Sequence, residues 1–257
     1  MNISHVCSLI HTQAIMKLKS QANTLVLSYL WWVIEPLLYV VLFYFVFKYV
    51  LYRGGEDFFI FLMVGKIPFL WFSKSVTSGA NSLVENRGLI AQRIVPKYMF
   101  PFVNCQEASY KQVIAFAVLF SVLIASGYAP TSNWWQLIPL IVLNYLLICG
   151  VAVLFSVFVS YAADFRMVIQ LFMMGLMFTS GIFWDVNMIQ DQSIKEFLLI
   201  LNPVAALIDG YRQVLMYNQD LNVLYMVTTF AWACGALVAG LTMLHMFNNT
   251  LTRKLFS

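Results

Sequence analysis

Charge is what this sequence has least of. Asp, Glu, Lys and Arg together make up 10% of its 257 residues, against about 25% in an average soluble domain. So few charges cannot cover a water-facing surface, and the mean hydropathy is +0.80. The same scarcity excludes disorder, because disordered chains are polar and highly charged. Cysteine is also sparse. Cys7, Cys105, Cys149 and Cys234 form no CxxC and no metal spacing, and two of them sit inside apolar runs, which speaks against a disulfide framework. No basic run accompanies the net charge of +4, so nucleic-acid binding is not indicated.

Catalytic signatures are absent as well. The histidines His5, His11 and His245 are scattered. There is no HExxH, no GxSxG and no acid cluster. The phosphate-cradling GxxxxGK[ST] loop is missing: Gly65-Lys66 is followed by Ile67, and Ile60 stands where the first glycine belongs. The chain is therefore expected to carry no catalytic, cofactor-binding or metal-binding residue of its own. If ATP drives it, another polypeptide supplies the nucleotide site.

What is present is hydrophobic length: 61% of residues are apolar. About 20 apolar residues cross a bilayer. The reading is an all-α integral membrane protein, one transmembrane domain of six spans, at 27–50, 58–80, 108–127, 135–160, 167–184 and 223–247. The first run is too long for a cleavable signal and is expected to act as the targeting signal itself. Ile3, Val6, Ile10 and Ala14 recur at helical spacing within 1–24. That pattern fits an amphipathic helix at the membrane surface or a frayed terminus. Segment 83–97 is too charged to span. Segment 185–222 holds two short apolar pieces, 197–201 and 204–208, neither long enough to cross. It reads as a re-entrant pair, tolerated where it is buried in protein or faces a water-filled cavity, or as a small external cap.

Six spans put both termini on one side. With the N-terminus inside, nine cations fall inside, counting Arg87, Arg93, Lys97, Lys111 and Arg166 with the terminal ones. Four fall outside: Lys48, Arg53, Lys195 and Arg212. The positive-inside rule favours this orientation. Lys66 and Lys74 lie within the second span. Glu35 lies near the inner end of the first, beside Pro36, and is more readily an interfacial residue than an ion-coupling one. Lys66 can either snorkel or face an aqueous cavity and an anionic substrate. The chain holds 22 Phe, 13 Tyr and 7 Trp. Tyr39, Tyr44, Lys66 and Trp71 are the channel-lining candidates.

Four segments carry a family resemblance. They are LSYLWWVIEPLLYVVLFYFVF (27–47), FLMVGKIPFLWFSKSVTSGANSLVENRGLIAQRIVPK (61–97), ADFRMVIQLFMMGLMFTSGIFWD (163–185) and LNPVAALIDGYRQVLM (201–216). In this order they resemble the permease subunit of polysaccharide-exporting ABC transporters of the type-2 exporter superfamily, the kind that exports O antigen or capsule. Ser28 stands where that family usually has glycine. The resemblance implies that residues 1–24 form an interface helix. It implies that a coupling segment with Glu85, Arg87, Leu89, Ile90 and Arg93 docks on the ATPase, and that an outer motif with Asn202, Pro203 and Arg212 caps the channel. It further implies a homodimer with two nucleotide-binding ATPase subunits that bind ATP and Mg, a lipid-linked polysaccharide substrate, and a place in the bacterial inner membrane among membrane lipids. The charged and apolar knobs around Arg87 suit a protein partner, the alternative being an anchor on anionic lipid heads. Two other readings stay open: a type-2 exporter of small lipophilic compounds, and a membrane-embedded glycan-modifying enzyme, which would need an intramembrane His or acid pair that the sequence does not offer.

Overall fold

The computed structural model describes residues 3–24, 30–50, 52, 55, 57–92 and 95–256. The expected start of the first span at 27–29, with Ser28, lies outside them, as do Arg53 and Arg93. Among the described residues the regular structure is all helical. The helices are α1 (Ile3–Thr24), α2 (Trp31–Phe45), α3 (Phe58–Glu85), α4 (Arg87–Gln92), α5 (Met99–Ala125), α6 (Leu137–Tyr161), α7 (Phe165–Thr179), α8 (Gln192–Leu201), α9 (Pro203–Leu215), α10 (Val223–Met246) and α11 (Asn248–Phe256). Helix α2 runs on as a π-helical turn, Val46–Val50.

Among the described residues, five helical stretches are long and apolar enough to cross a bilayer: Trp31–Val50, Phe58–Glu85, Met99–Ala125, Ser132–Tyr161 and Val223–Met246. The sixth, α7, has 15 residues, about 22 Å at 1.5 Å per residue, short of the roughly 30 Å hydrocarbon core. The sequence reading carried this span to Trp184. The helix stops earlier because Gly181 adopts φ +71°, a left-handed turn that ends a helix. Beyond it the chain continues as the turn 180–188 and the hairpin of α8 and α9. Helix α5 begins nine residues before the expected 108, because Glu107 and Lys111 pair on one helix face and so do not break it. Helix α3 absorbs Leu83–Glu85, which leaves Arg87–Gln92 as the body of the connection.

Helices α3 and α6 form the centre. Lys66, Ser75, Ser82, Asn144 and Ser156 are buried there beside Leu62, Met63, Leu140 and Leu147. At one end of the bundle α1 packs on the foot of α5, with Ala14 buried against Met99 and Val103. Helix α11 lies at the same end, where Lys97 Nζ donates to the Asn248 carbonyl. Both terminal helices thus share one end, and the α8–α9 hairpin occupies the other.

Candidate functional site

Three regions emerge from this packing. At the end with the termini, a charged junction joins α1, α3 and α5. Glu107 is nearly buried, and its carboxylate takes Lys111 Nζ at 2.6 Å and Lys17 Nζ at 3.6 Å. Lys17 also donates to Asn104 Oδ1 at 2.8 Å and lies 3.9 Å from Glu85. The buried carboxylate satisfies both cations, as burial in a low dielectric requires. Glu85 stands where α3 ends, and Arg87 and Leu89 are exposed on α4 with Ile90 half-buried. The structure therefore gathers Glu85, Arg87, Leu89 and Ile90 at one elbow. The sequence reading passed over Glu107 as a junction residue, although a Glu and a Lys four residues apart in an apolar helix is a readable signal. Burial also lowers the pKa of Lys97 in the same connection.

The second region is a groove of about 270 Å³ between α2, α3 and α7. Tyr39 and Lys66 meet there. Lys66 Nζ lies 5.5 Å from the Tyr39 ring centroid, 4.9 Å from that of Phe43 and 5.4 Å from that of Phe69, and it donates to Met177 Sδ at 2.9 Å. The other two channel candidates are elsewhere. Tyr44 accepts from Lys48 Nζ at 2.7 Å and meets Phe59 edge to face. Trp71 lies in a separate cavity of about 610 Å³ with Trp31, Trp32 and the Lys74–Glu35 pair.

The third region is a cleft of about 800 Å³ at the hairpin end. Eight of its thirteen lining residues are aromatic, among them Phe58, Phe61, Phe183, Trp184 and Tyr217. Phe47 stacks on Phe183 at 5.2 Å. Two carboxylates, Asp57 and Asp185, complete the wall. Tyr217 donates to Asp185 Oδ2 at 2.8 Å, and burial together with that carboxylate pushes the Tyr217 phenol above its ordinary range. Burial raises Tyr128 too, with Asp57 adding to it. Aromatic faces carry negative charge density that attracts polarised C–H bonds, and carboxylates accept from hydroxyls. This lining suits a sugar. The sequence reading missed Asp57, Tyr128, Asp185 and Tyr217, because they come from four separate loops.

The outer motif lies behind the cleft wall at Phe61. Asn202 caps α9 by accepting from the backbone N–H groups of Val204 and Ala205, both at 3.1 Å, and donates to Ser180 Oγ at 3.0 Å. Pro203 follows at the first helical position, where a missing N–H costs nothing. Arg212 is 1% exposed. Its guanidinium donates to the carbonyls of Gly181 at 2.6 Å and Ile182 at 3.0 Å and stacks 3.4 Å from the Phe61 centroid. It ties α9 to the end of α7 and to α3.

Comparison with known proteins agrees with this architecture. Residues 14–216 match the model of the ABC-2 type transporter family. An O-antigen export system permease protein RfbA of Klebsiella pneumoniae is 26% identical, over 94% of this chain and 92% of that protein. One from Myxococcus xanthus is 25% identical, over 80% and 78%. The polysialic acid transport protein KpsM of Escherichia coli is 25% identical, over 74% of each chain. With a family match running across most of its length and the multi-span helical bundle described above, the chain belongs to the ABC-2 type transporter family.

Proposed function

We propose that this chain is the permease subunit of an exporter of lipid-linked polysaccharide, O antigen or capsule, driven by a separate ATPase. One observation carries the reading: the likeness to O-antigen export permeases extends over nearly the whole length of both chains. Two structural features support it. The aromatic cleft with Asp57 and Asp185 offers a sugar both stacking faces and hydrogen-bond acceptors. The α2–α3–α7 groove exposes Gln170 at bilayer depth beside half-buried Ser73 and Thr77, and polar groups at that depth are tolerated where they face protein or water rather than lipid.

In this reading two copies pair around one conduit in the bacterial inner membrane, with both termini cytoplasmic. Two ATPase subunits bind ATP and Mg and dock against the elbow of α3 and α4. The Glu107 junction links that elbow to α1 and α5, so a push on α4 moves the foot of three helices as one body. No group of this chain makes or breaks a bond. It shapes the path and transmits the stroke.

The test is purification of the tagged chain from its native membrane in mild detergent, with mass spectrometry of what accompanies it. A stoichiometric ATPase bearing GxxxxGK[ST], with loss of surface polysaccharide when the chain is deleted, is the expected result. A chain that emerges alone and intact, with surface glycan unchanged by its deletion, overturns the reading.

A finer prediction concerns the elbow. Replacing Arg87 and Arg93 together by glutamate reverses two charges at the docking segment. Membrane insertion should stay normal while export falls at least tenfold, a loss of about 1.4 kcal/mol or more in coupling. Export at the normal level would remove this segment from the docking surface.

A further inference from the structure

Most of the other cations inside the bundle have partners that account for them. Lys74 pairs with Glu35 at 2.6 Å, Lys17 and Lys111 share Glu107, and Arg212 is spent on backbone carbonyls. Lys66 differs. It is 3% exposed, it has no ion pair among the described residues, and the acceptor within reach of its ammonium is a thioether sulfur. A lysine inside a membrane helix is costly to bury. Three ring faces return a part of that cost through cation–π attraction, which strengthens where water is excluded. This shell keeps the ammonium in place and leaves its charge uncompensated.

The groove around it has a consistent chemistry. Ser73 and Thr77 follow Lys66 along one face of α3, at seven and eleven residues. Gln170 faces them from α7, and Tyr39 closes the wall from α2. All offer neutral donors, and no carboxylate lines the groove. One buried cation, a row of neutral donors further along the same groove and no acid in its lining make a path suited to an oxyanion.

We propose that the groove between α2, α3 and α7 receives an oxyanion of the substrate, a carboxylate or a phosphate, which pairs transiently with Lys66 during passage. The inference rests on the export reading above and deepens it: the translocated molecule carries negative charge that this groove recognises. Aromatic neighbours suit a transient site, since their attraction holds the lysine when the anion leaves. A permanent carboxylate partner would occupy the charge and close the site.

The oxyanion can belong to the sugar chain or to the phosphate of its lipid carrier, and the probes separate these. The intact complex with its ATPase, in nanodiscs without nucleotide, is titrated with an oligoglucuronate, with undecaprenyl diphosphate and with a neutral oligoglucose. One anionic probe should bind, and Lys66→Met should weaken it at least tenfold while the neutral probe is unaffected and Lys66→Arg retains most of the affinity. Oligoglucuronate as the sensitive probe places the charge on the sugar, and the diphosphate places it on the carrier. Gln170→Glu, nearly isosteric, supplies an acid in the groove and should weaken the same probe without disturbing assembly, so the proposal stays testable should Lys66→Met fail to fold. Equal affinities in wild type and in both variants overturn it, as does a uniform loss for anionic and neutral probes alike. The export reading is judged separately, by surface polysaccharide in cells lacking the chain. If export depends on the chain but the anionic probes ignore Lys66 and Gln170, the groove assignment alone falls.

Discussion

Replacing Arg212 by leucine should release the outer hairpin. Leucine fills part of the space, but the carbonyls of Gly181 and Ile182 lose their donors. Each orphaned buried carbonyl costs about 1–3 kcal/mol. The stacking on Phe61 is lost as well. Removing the guanidinium also removes the cost of holding it away from water, which offsets part of the damage. The net expectation is a loss of about 3 kcal/mol, a fall of roughly 10 °C in the thermal midpoint of the detergent-solubilised chain. Lysine should not rescue it, since an ammonium is a point charge and cannot span two carbonyls while stacking on a ring. A second substitution reaches the same clamp from the other side. A Cβ added at Gly65 would lie 2.7 Å from the guanidinium, so Gly65→Ala should displace Arg212 and lower stability in the same direction. A midpoint within 2 °C of wild type for Arg212→Leu (roughly what 1 kcal/mol moves in a chain of this size) would show that the hairpin is held by its apolar contacts alone.

The clamp also shows how far the sequence could be read. Arg212 and Asn202 are visible in the linear pattern as members of an outer motif, and the Asn-Pro pair announces a helix start by its own chemistry. Where the arginine points is decided by the turn at Gly181 and by Phe61, 31 and 151 residues away, and no local pattern carries that. Five of the six apolar runs were legible because hydrocarbon depth sets their length. The end of α7 was misplaced because apolar Ile182, Phe183 and Trp184 continue the hydropathy past a turn that geometry imposes. The start of α5 was misplaced for the opposite reason, because charges that pair on a helix face look like a loop in one dimension.

The candidate site divides in the same way. Lys66 is legible as a residue out of keeping with a lipid-facing helix and Tyr39 only as one aromatic of a crowded first span, and they do share a groove. Their cage is completed by Phe43, one turn further along α2, and by Met177 from α7. Composition alone singles out Trp71 and Tyr44, and they fall in other surroundings, since aromatic residues serve packing throughout a membrane bundle. The outer cleft could not have been assembled from the sequence at all. Its carboxylates are single residues in loops, and only their convergence gives them meaning.

The contact between α6 and α10 yields the other large effect. A Cβ added at Gly240 would stand 2.7 Å from the Leu154 backbone nitrogen, and one added at Gly150 would stand 2.6 Å from the Ala233 carbonyl oxygen. In both cases the obstacle is backbone, which cannot rotate away as a side chain can. The two helices therefore touch main chain to main chain, with Ala233, Ala236 and Gly240 on one face of α10. In a bilayer, where lipid tails are as apolar as leucine, such close approach is the source of helix association. Gly240→Val should force the pair apart by an ångström or more and cost about 3 kcal/mol, at the upper end of what overpacking produces. Gly150→Val should do the same, and the double variant should cost less than the sum, because one displacement accommodates both side chains. Gly235 is the control: nothing lies within 4 Å of a Cβ added there, so Gly235→Val lengthens the side chain on the same helix without a clash. The measurement is the fraction of chain recovered as a monodisperse peak after heating in detergent. Gly240→Val should lose most of it at a temperature where wild type and Gly235→Val remain intact. Equal recovery for all three would mean that α10 is seated by its contacts with α9 and α11 rather than by α6.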